Sequence, residues 1–177
     1  MPIIGRLGLL PAQSRKRNGP AFSSAEEPLD AVNQRLLREL QANPRLGMSA
    51  LGRRVGMSAP AVTERVQRLE RTGVIRGYRM EVAPAAVGLP VAAFVRIRPV
   101  PGQLPKVAEL AAQIPQVVEC YRITGEDCFL LKLYAPAVEA IEEILDRFLM
   151  FGQTTTSIVQ STPVPLRPLP VDLGLVP

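Results

Sequence analysis

From Asp30 onward the apolar residues Val32, Leu36, Leu37 and Leu40 fall at helical spacing, a stripe with the 3.6-residue period of an amphipathic helix. Asp30 is placed to cap its first turn and Asn43-Pro44 to stop it. Ser49 opens a second, shorter helix with Leu51 and Val55 one turn apart, ending at Gly56. Ser58 caps a third, with Pro60 in the first turn, Val62, Val66 and Leu69 on one face and Gly73 after its end. A connection as short as Gly56-Met57-Ser58 forces the second and third helices to cross steeply, as in a helix-turn-helix. After Gly73 the pattern alternates from Val74 to Val82, with Tyr78, Met80 and Val82 on one side and Arg79 and Glu81 on the other, which predicts a strand or wing.

Near residue 90 a second module begins. Val91 to Arg98 alternates as a strand, and a helix from Leu104 carries Pro105 in its first turn and a stripe of Leu104, Val107, Ala108, Ala111 and Ile114. Val117 to Thr124, a tight Gly125-Glu126-Asp127 turn and Cys128 to Tyr134 read as a hairpin. A helix with Val138, Ile141, Ile144, Leu145, Phe148 and Leu149 follows, and Thr154 to Gln160 closes the module as a strand. The order βαββαβ with right-handed crossovers puts both helices on one face of a four-stranded antiparallel sheet. The other sheet face then needs a partner, which predicts self-association.

Composition narrows the chemistry. The 177 residues contain no His and two cysteines, Cys120 and Cys128, which excludes His-dependent catalysis and four-ligand Cys/His zinc sites. No metal or other cofactor is expected. Both cysteines lie in strand-like runs and are expected as buried thiols of a protein in a reducing cytoplasm. No apolar run approaches the roughly 18 residues of a membrane span. Residues 1–90 hold 14 basic and 7 acidic side chains, against 7 and 9 in residues 91–177, so the positive charge suited to a polyanion sits in the helical module. The exposed face of the third helix carries Ser58, Thr63, Glu64, Arg65, Gln67, Arg68 and Arg71, groups with the reach to meet base edges and phosphates in a major groove. Residues 1–28, with four prolines and the run Arg15-Lys16-Arg17, read as a disordered arm, and residues 164–177 as a Pro-rich tail.

The chain resembles the Lrp/AsnC (feast/famine) family of transcriptional regulators. The resemblance runs from about Leu29 to Pro163 through Leu29-Asp30, LGRRVGMS at Leu51 to Ser58, ERVQRLERTGVIRGY at Glu64 to Tyr78, and VVECYRITGEDCFLLKL at Val117 to Leu133. It implies an α+β chain: an amino-terminal winged helix-turn-helix over residues 29–76, a linker strand and hinge over 77–90, and a ferredoxin-like βαββαβ sandwich over 91–163 that senses a ligand and oligomerises. It also implies binding of double-stranded DNA by a homodimer, assembling to a tetramer or octamer, that responds to a small effector, usually an amino acid. The linker strand Tyr78 to Val82 pairs across such a dimer. The competing readings are a metabolite-binding or enzymatic ferredoxin-like module with a structural helical dimerisation segment, for which no catalytic cluster is visible, and an architectural DNA-binding protein without an effector.

Carried onto matching positions, the resemblance assigns Ser58, Ala59, Pro60, Thr63, Arg65 and Arg68 to the DNA-facing set. Ser58 also caps the helix whose amides meet a phosphate. Glu64 either accepts from a cytosine amine or pairs with Arg68, the pair being the preferred reading. Arg76 and Arg79 add backbone contacts, or else form a solvated strand edge. The effector loop matches Gly125, Glu126, Asp127 and Cys128, where turn amides suit a carboxylate and the two acids an ammonium. Thr154, Thr156 and Ser157 on the last strand offer hydroxyls to the same interface, unless branched shape alone selects the threonines. Two positions depart from the common pattern: many relatives have Asp in place of Cys128 and of Asn33. An acid at Asp127 instead shifts the charge by one residue in the hairpin, so the usual ammonium contact does not carry over automatically.

Overall fold

The computed structural model describes residues 29–171. The arm expected over residues 1–28 and the end of the tail, residues 172–177, lie outside them. The chain divides into two compact units, the first ending at Ile75 and the second spanning Arg76–Leu169.

The first unit is three helices, α1 (Ala31–Ala42), α2 (Met48–Val55) and α3 (Ala59–Arg71). Asp30 caps α1 as expected, its Oδ1 accepting from the Asn33 amide at 2.6 Å. Ser58 caps α3 by accepting from the Ala61 amide at 3.4 Å. The start of α2 differs from expectation: Gly47, not Ser49, is its N-cap, with no side-chain bond. Leu46 and Met48 pack against the core, so apolar anchoring of the entering chain does what the serine was expected to do. Leu36, Leu40, Leu51, Val55, Val62 and Val66 close a core of their own.

The α2–α3 turn depends on two glycines. Gly56 takes φ 74°, a left-handed helix end that a side chain would strain. Gly52 lies where a Cβ would meet the Met57 carbonyl oxygen at 2.6 Å, so the backbones approach more closely than any side chain permits.

The strand or wing expected over Val74 to Val82 is absent: no described residue there belongs to a strand. A strand exists only through its ladder, and none of the four strands takes this segment as a neighbour. Its alternation instead leaves Tyr78, Met80 and Val82 exposed.

The second unit keeps the expected βαββαβ order: β1 (Val91–Pro99), α4 (Leu104–Gln113), β2 (Val117–Arg122), β3 (Phe129–Ala135), α5 (Val138–Asp146) and β4 (Gly152–Ile158). The sheet order is β2-β3-β1-β4, every pair antiparallel. Ala93, Val95 and Ile97 of β1 and Phe129, Leu131, Leu133 and Ala135 of β3 share one buried core with Val107, Ala111, Ile141, Ile144 and Phe148. Burial of a side chain such as Phe129 contributes roughly 1.5–3 kcal/mol. Three positions of the expected helical stripes fall outside it, one being Val138, exposed at the start of α5. Ala108 is exposed, with Leu110 packing against the core instead. Leu149 is exposed because α5 ends at Asp146 and the following turn directs Phe148 inward. Neither cysteine is fully buried, Cys120 being exposed on the edge strand β2 and Cys128 intermediate in the hairpin.

Replacing Gly52 by Ala is expected to lower the thermal midpoint of the first unit, at a cost of about 1–3 kcal/mol for forcing the two backbones apart. Circular dichroism melting checks this, and an unshifted midpoint means the α2–α3 contact tolerates a Cβ.

Candidate nucleic-acid interface and effector site

Helix α3 turns its residues by about 100° each, which sorts the expected DNA-facing set into two groups. Arg71 and Glu64 stand about 180° and 160° from the buried Val62 and are exposed, as are Ser58, Pro60, Gln67 and Arg68. Ala59 and Thr63 are intermediate. The Thr63 hydroxyl donates back to the Ala59 carbonyl at 2.8 Å, so its proton is already committed. Glu64 and Arg68 form no ion pair, contrary to the preferred reading. Attraction between exposed side chains one helical turn apart is a few tenths of a kcal/mol, too little to fix them together.

Arg65 lies on the flank, about 60° from Val62, against the start of α1. Its Nη1 donates to Asp30 Oδ2 at 2.7 Å and to Asn33 Oδ1 at 3.2 Å. Asp30 therefore uses one oxygen to cap α1 and the other to hold α3. The Asn33 amide, and after it the Arg65 guanidinium, keep its carboxyl below the ordinary value. This bridge borders a shallow depression of about 290 Å³ lined by Asp30, Asn33, Met57, Ala61, Glu64, Arg65 and Arg68. Between α1 and α2, Arg54 pairs with Glu39 at 2.6 Å and the Arg35 guanidinium donates to the Arg54 carbonyl at 3.0 Å. Arg76 and Arg79 are exposed and belong to the second unit.

In the second unit the alternation of β1 places Phe94, Arg96 and Arg98 on the sheet face opposite the helices. The turn Gly125 to Cys128, the expected effector loop, meets them there. Arg98 contacts Glu126 at 2.5 Å and Asp127 at 3.6 Å, and Arg96 contacts Asp127 at 3.6 Å. The two acids are thus already neutralised by two guanidiniums that sequence reasoning missed, although the run Phe94-Val95-Arg96-Ile97-Arg98 carried the signal. Gly125 at φ 104° permits the turn. The Cys128 amide donates to the Glu126 carbonyl at 3.1 Å and its carbonyl accepts from the Ile123 amide at 3.0 Å, closing the hairpin.

The three hydroxyls of β4 do not share a face. Thr154 pairs with Ile97 and Thr156 with Val95, on the helix side, whereas Ser157 pairs with Phe94 on the open side. Two-residue periodicity forbids a common interface for all three. Also on the open face, Tyr121 donates to Glu119 at 2.5 Å and Lys132 donates to it at 3.4 Å. The Tyr121 hydroxyl, with Lys132 assisting, holds Glu119 below its ordinary value, and Glu119 in turn raises Tyr121. Phe94 and Tyr121 remain 39% and 49% exposed on this face. Among the described residues no group of Cys, Asp and Glu is arranged to hold a metal, and no helix is long and apolar enough to cross a membrane.

A three-helix unit with a tight α2–α3 turn, followed by a βαββαβ unit, is the architecture of a helix-turn-helix domain joined to a ferredoxin-like domain. Residues 29–70 match the AsnC-type helix-turn-helix domain and residues 92–169 the Lrp/AsnC ligand binding domain. The HTH-type transcriptional regulator LrpC of Bacillus subtilis is 35% identical over 133 residues, 75% of this chain and 92% of LrpC. A feast or famine regulatory protein from M. tuberculosis, solved in complex with L-methionine, superposes with TM-score 0.74 at 35% identity, covering 80% of this chain and 98% of that one. A transcriptional regulator of Neisseria meningitidis, likewise in complex with L-methionine, gives TM-score 0.75 at 27% identity over 81% and 97% of the two chains. The chain belongs to the Lrp/AsnC family of transcriptional regulators. It is a regulator and not an enzyme, so the alternative of an enzymatic module with a merely structural helical segment falls away.

Folded Asp30 titrates below its unfolded value of 3.8. As the pH falls the unfolded chain therefore takes up that proton first. The stabilisation is complete above about pH 5 and is lost as the pH drops through the folded value. In Asp30→Asn the urea midpoint is expected to fall less steeply between about pH 5 and 3 than in the parent. Superimposable pH profiles would sink the role given to this carboxylate.

Proposed function

We propose that the chain binds specific DNA sequences as a cytoplasmic homodimer, assembling to a tetramer or octamer, and that an amino acid alters this binding. The observation that carries the DNA reading is the exposed, hydrogen-bonding and cationic face of α3, rigidly presented by the Gly52–Met57 approach. Ser58, Ala59, Pro60, Thr63, Glu64 and Arg68 supply the contacts along that face, with Arg65 at its flank, and Arg76 adds a backbone contact. Ser58 and the first amides of α3 meet a phosphate, while Arg68 has the geometry to fork onto guanine.

The effector reading rests on the cluster at the hairpin and on the methionine bound by two relatives. Glu126 and Asp127 attract an ammonium, and Arg96 and Arg98 attract a carboxylate, so a zwitterion replaces the internal pairs one for one. Gly125 and Cys128 shape the turn, and Ser157 faces the same side of the sheet. Thr154 and Thr156 act from the opposite side, as packing rather than as ligands. Self-association is supported by the open sheet face, where Phe94 and Tyr121 remain unburied, and by the segment Val74 to Val82, whose alternation finds no ladder among the described residues. The domain boundaries consistent with this reading are residues 29–76 for the DNA-binding head, 77–90 for the linker and 91–163 for the sensing body.

Arg68→Ala is expected to weaken duplex binding and to reduce the slope of log affinity against log salt by about 1 if Arg68 touches a phosphate, or to relax specificity at one base pair by about 1–3 kcal/mol if it reads guanine. Fluorescence anisotropy across about 50–200 mM salt distinguishes these, and an unaltered curve on every duplex removes Arg68 from the interface. For the effector, L-methionine at about 100 times its dissociation constant should stabilise the protein by roughly 2.7 kcal/mol, a rise of a few degrees in thermal midpoint. Arg98→Ala should abolish that rise. A midpoint that responds equally in both proteins places the effector elsewhere.

A further inference from the structure

We propose that Asp30 sets the strength of DNA binding by holding Arg65 against α1, so that the regulator binds duplex less tightly than its arginine content permits. This rests on the reading of α3 as the DNA-contacting helix and adds a restraint to it. Among the described residues, Arg65 is held within the fold where Arg68 is not: its Nη1 contacts Asp30 at 2.7 Å and Asn33 at 3.2 Å. The pair is not buried, the two side chains being 35% and 52% exposed. A phosphate therefore reaches the guanidinium only in competition with a carboxylate already in place, and that carboxylate stands in water where it repels the incoming phosphate.

Asp30 also lines the same depression as Arg68, so its negative charge weakens the local field of two arginines. Both effects have the same sign. Asp30 does not need its charge to cap α1, because Asn caps a helix as well as Asp does. Capping therefore does not require the negative charge of Asp30, which serves the tie to Arg65 and opposes a polyanion at the same place. Asn33, the second acceptor for Arg65, is neutral, so the restraint is a single charge that either neighbour can alter: removal at residue 30 releases it, and addition at residue 33 doubles it.

The test uses the full chain and a fluorescein-labelled duplex of mixed sequence, followed by anisotropy across about 50–200 mM salt. Asp30→Asn is expected to bind about fivefold more tightly at the low-salt end, with a salt slope steeper by about 0.9 for each chain engaged, one additional phosphate contact apiece. Asn33→Asp is expected to shift affinity in the opposite direction. In the double variant Asp30→Asn with Arg65→Gln the steeper slope should disappear, because the gain requires the released guanidinium. Circular dichroism confirms the helices of each variant, and the Asn33→Asp arm decides the question should Asp30→Asn fail to fold. Equal or weaker binding by Asp30→Asn, or a gain that survives loss of Arg65, overturns the restraint while leaving DNA binding intact. A parent protein that binds no duplex overturns the underlying reading, and the restraint with it.

Discussion

Strand β1 is hydrogen bonded on both sides, to β3 and to β4, and its two-residue alternation therefore decides the character of both faces of the sheet. Ala93, Val95 and Ile97 turn inward and carry the helices; Phe94, Arg96 and Arg98 turn outward and carry the chemistry. A register slip of one residue on either side would drive arginines into the core and expose the branched side chains, a cost no hairpin contact offsets. The same ladder holds the outward arginines opposite the Glu126-Asp127 turn, because pairing of Ile97 with Phe129 brings the hairpin end beside Arg98. Core and charge cluster are consequences of one register.

The helical unit meets a different constraint. Its core is small, so the crossing of α2 and α3 is fixed by the absence of a side chain at Gly52 and by polar ties at the rim. Arg54 with Glu39 links α2 to α1, and Arg65 with Asp30 links α3 to α1. Each tie is solvent-exposed and individually weak. Their value lies in direction: they hold guanidiniums on the flank of the bundle and leave the outer face of α3 to Glu64, Gln67, Arg68 and Arg71.

Helix and strand positions were legible in the sequence because they are local. Asp30 and Ser58 announced their helices through capping chemistry, and Gly56 and Gly125 marked turns that only a positive φ allows. Contacts between distant positions were not legible. Arg65 and Asp30 are 35 residues apart, and nothing in the period of α3 says that a residue near the edge of its buried stripe will turn toward α1 instead of outward. The threonines of β4 misled for a related reason, since a run of hydroxyls reads as one surface until the register splits it between two faces. Val74 to Val82 shows the remaining limit: alternation describes a segment fit to be a strand, but a strand also needs a neighbour, and no strand among the described residues pairs with it. The runs flanking the hairpin did supply their own, which is why that element was read correctly.

Both candidate sites are built from charges that are already paired inside the protein, Arg65 with Asp30 in one unit, Arg96 and Arg98 with Glu126 and Asp127 in the other. A ligand at either place exchanges partners and does not simply add an ion pair, so its affinity is the difference between two similar interactions. On the proposed reading, such exchange would make affinity sensitive to a single charge. It also favours ligands that match both signs. A zwitterion compensates each group it displaces, whereas a simple anion at the hairpin would satisfy an arginine and leave an acid bare. If the hairpin is the effector site, selectivity for an amino acid over its decarboxylated or deaminated counterpart would follow from the internal pairing.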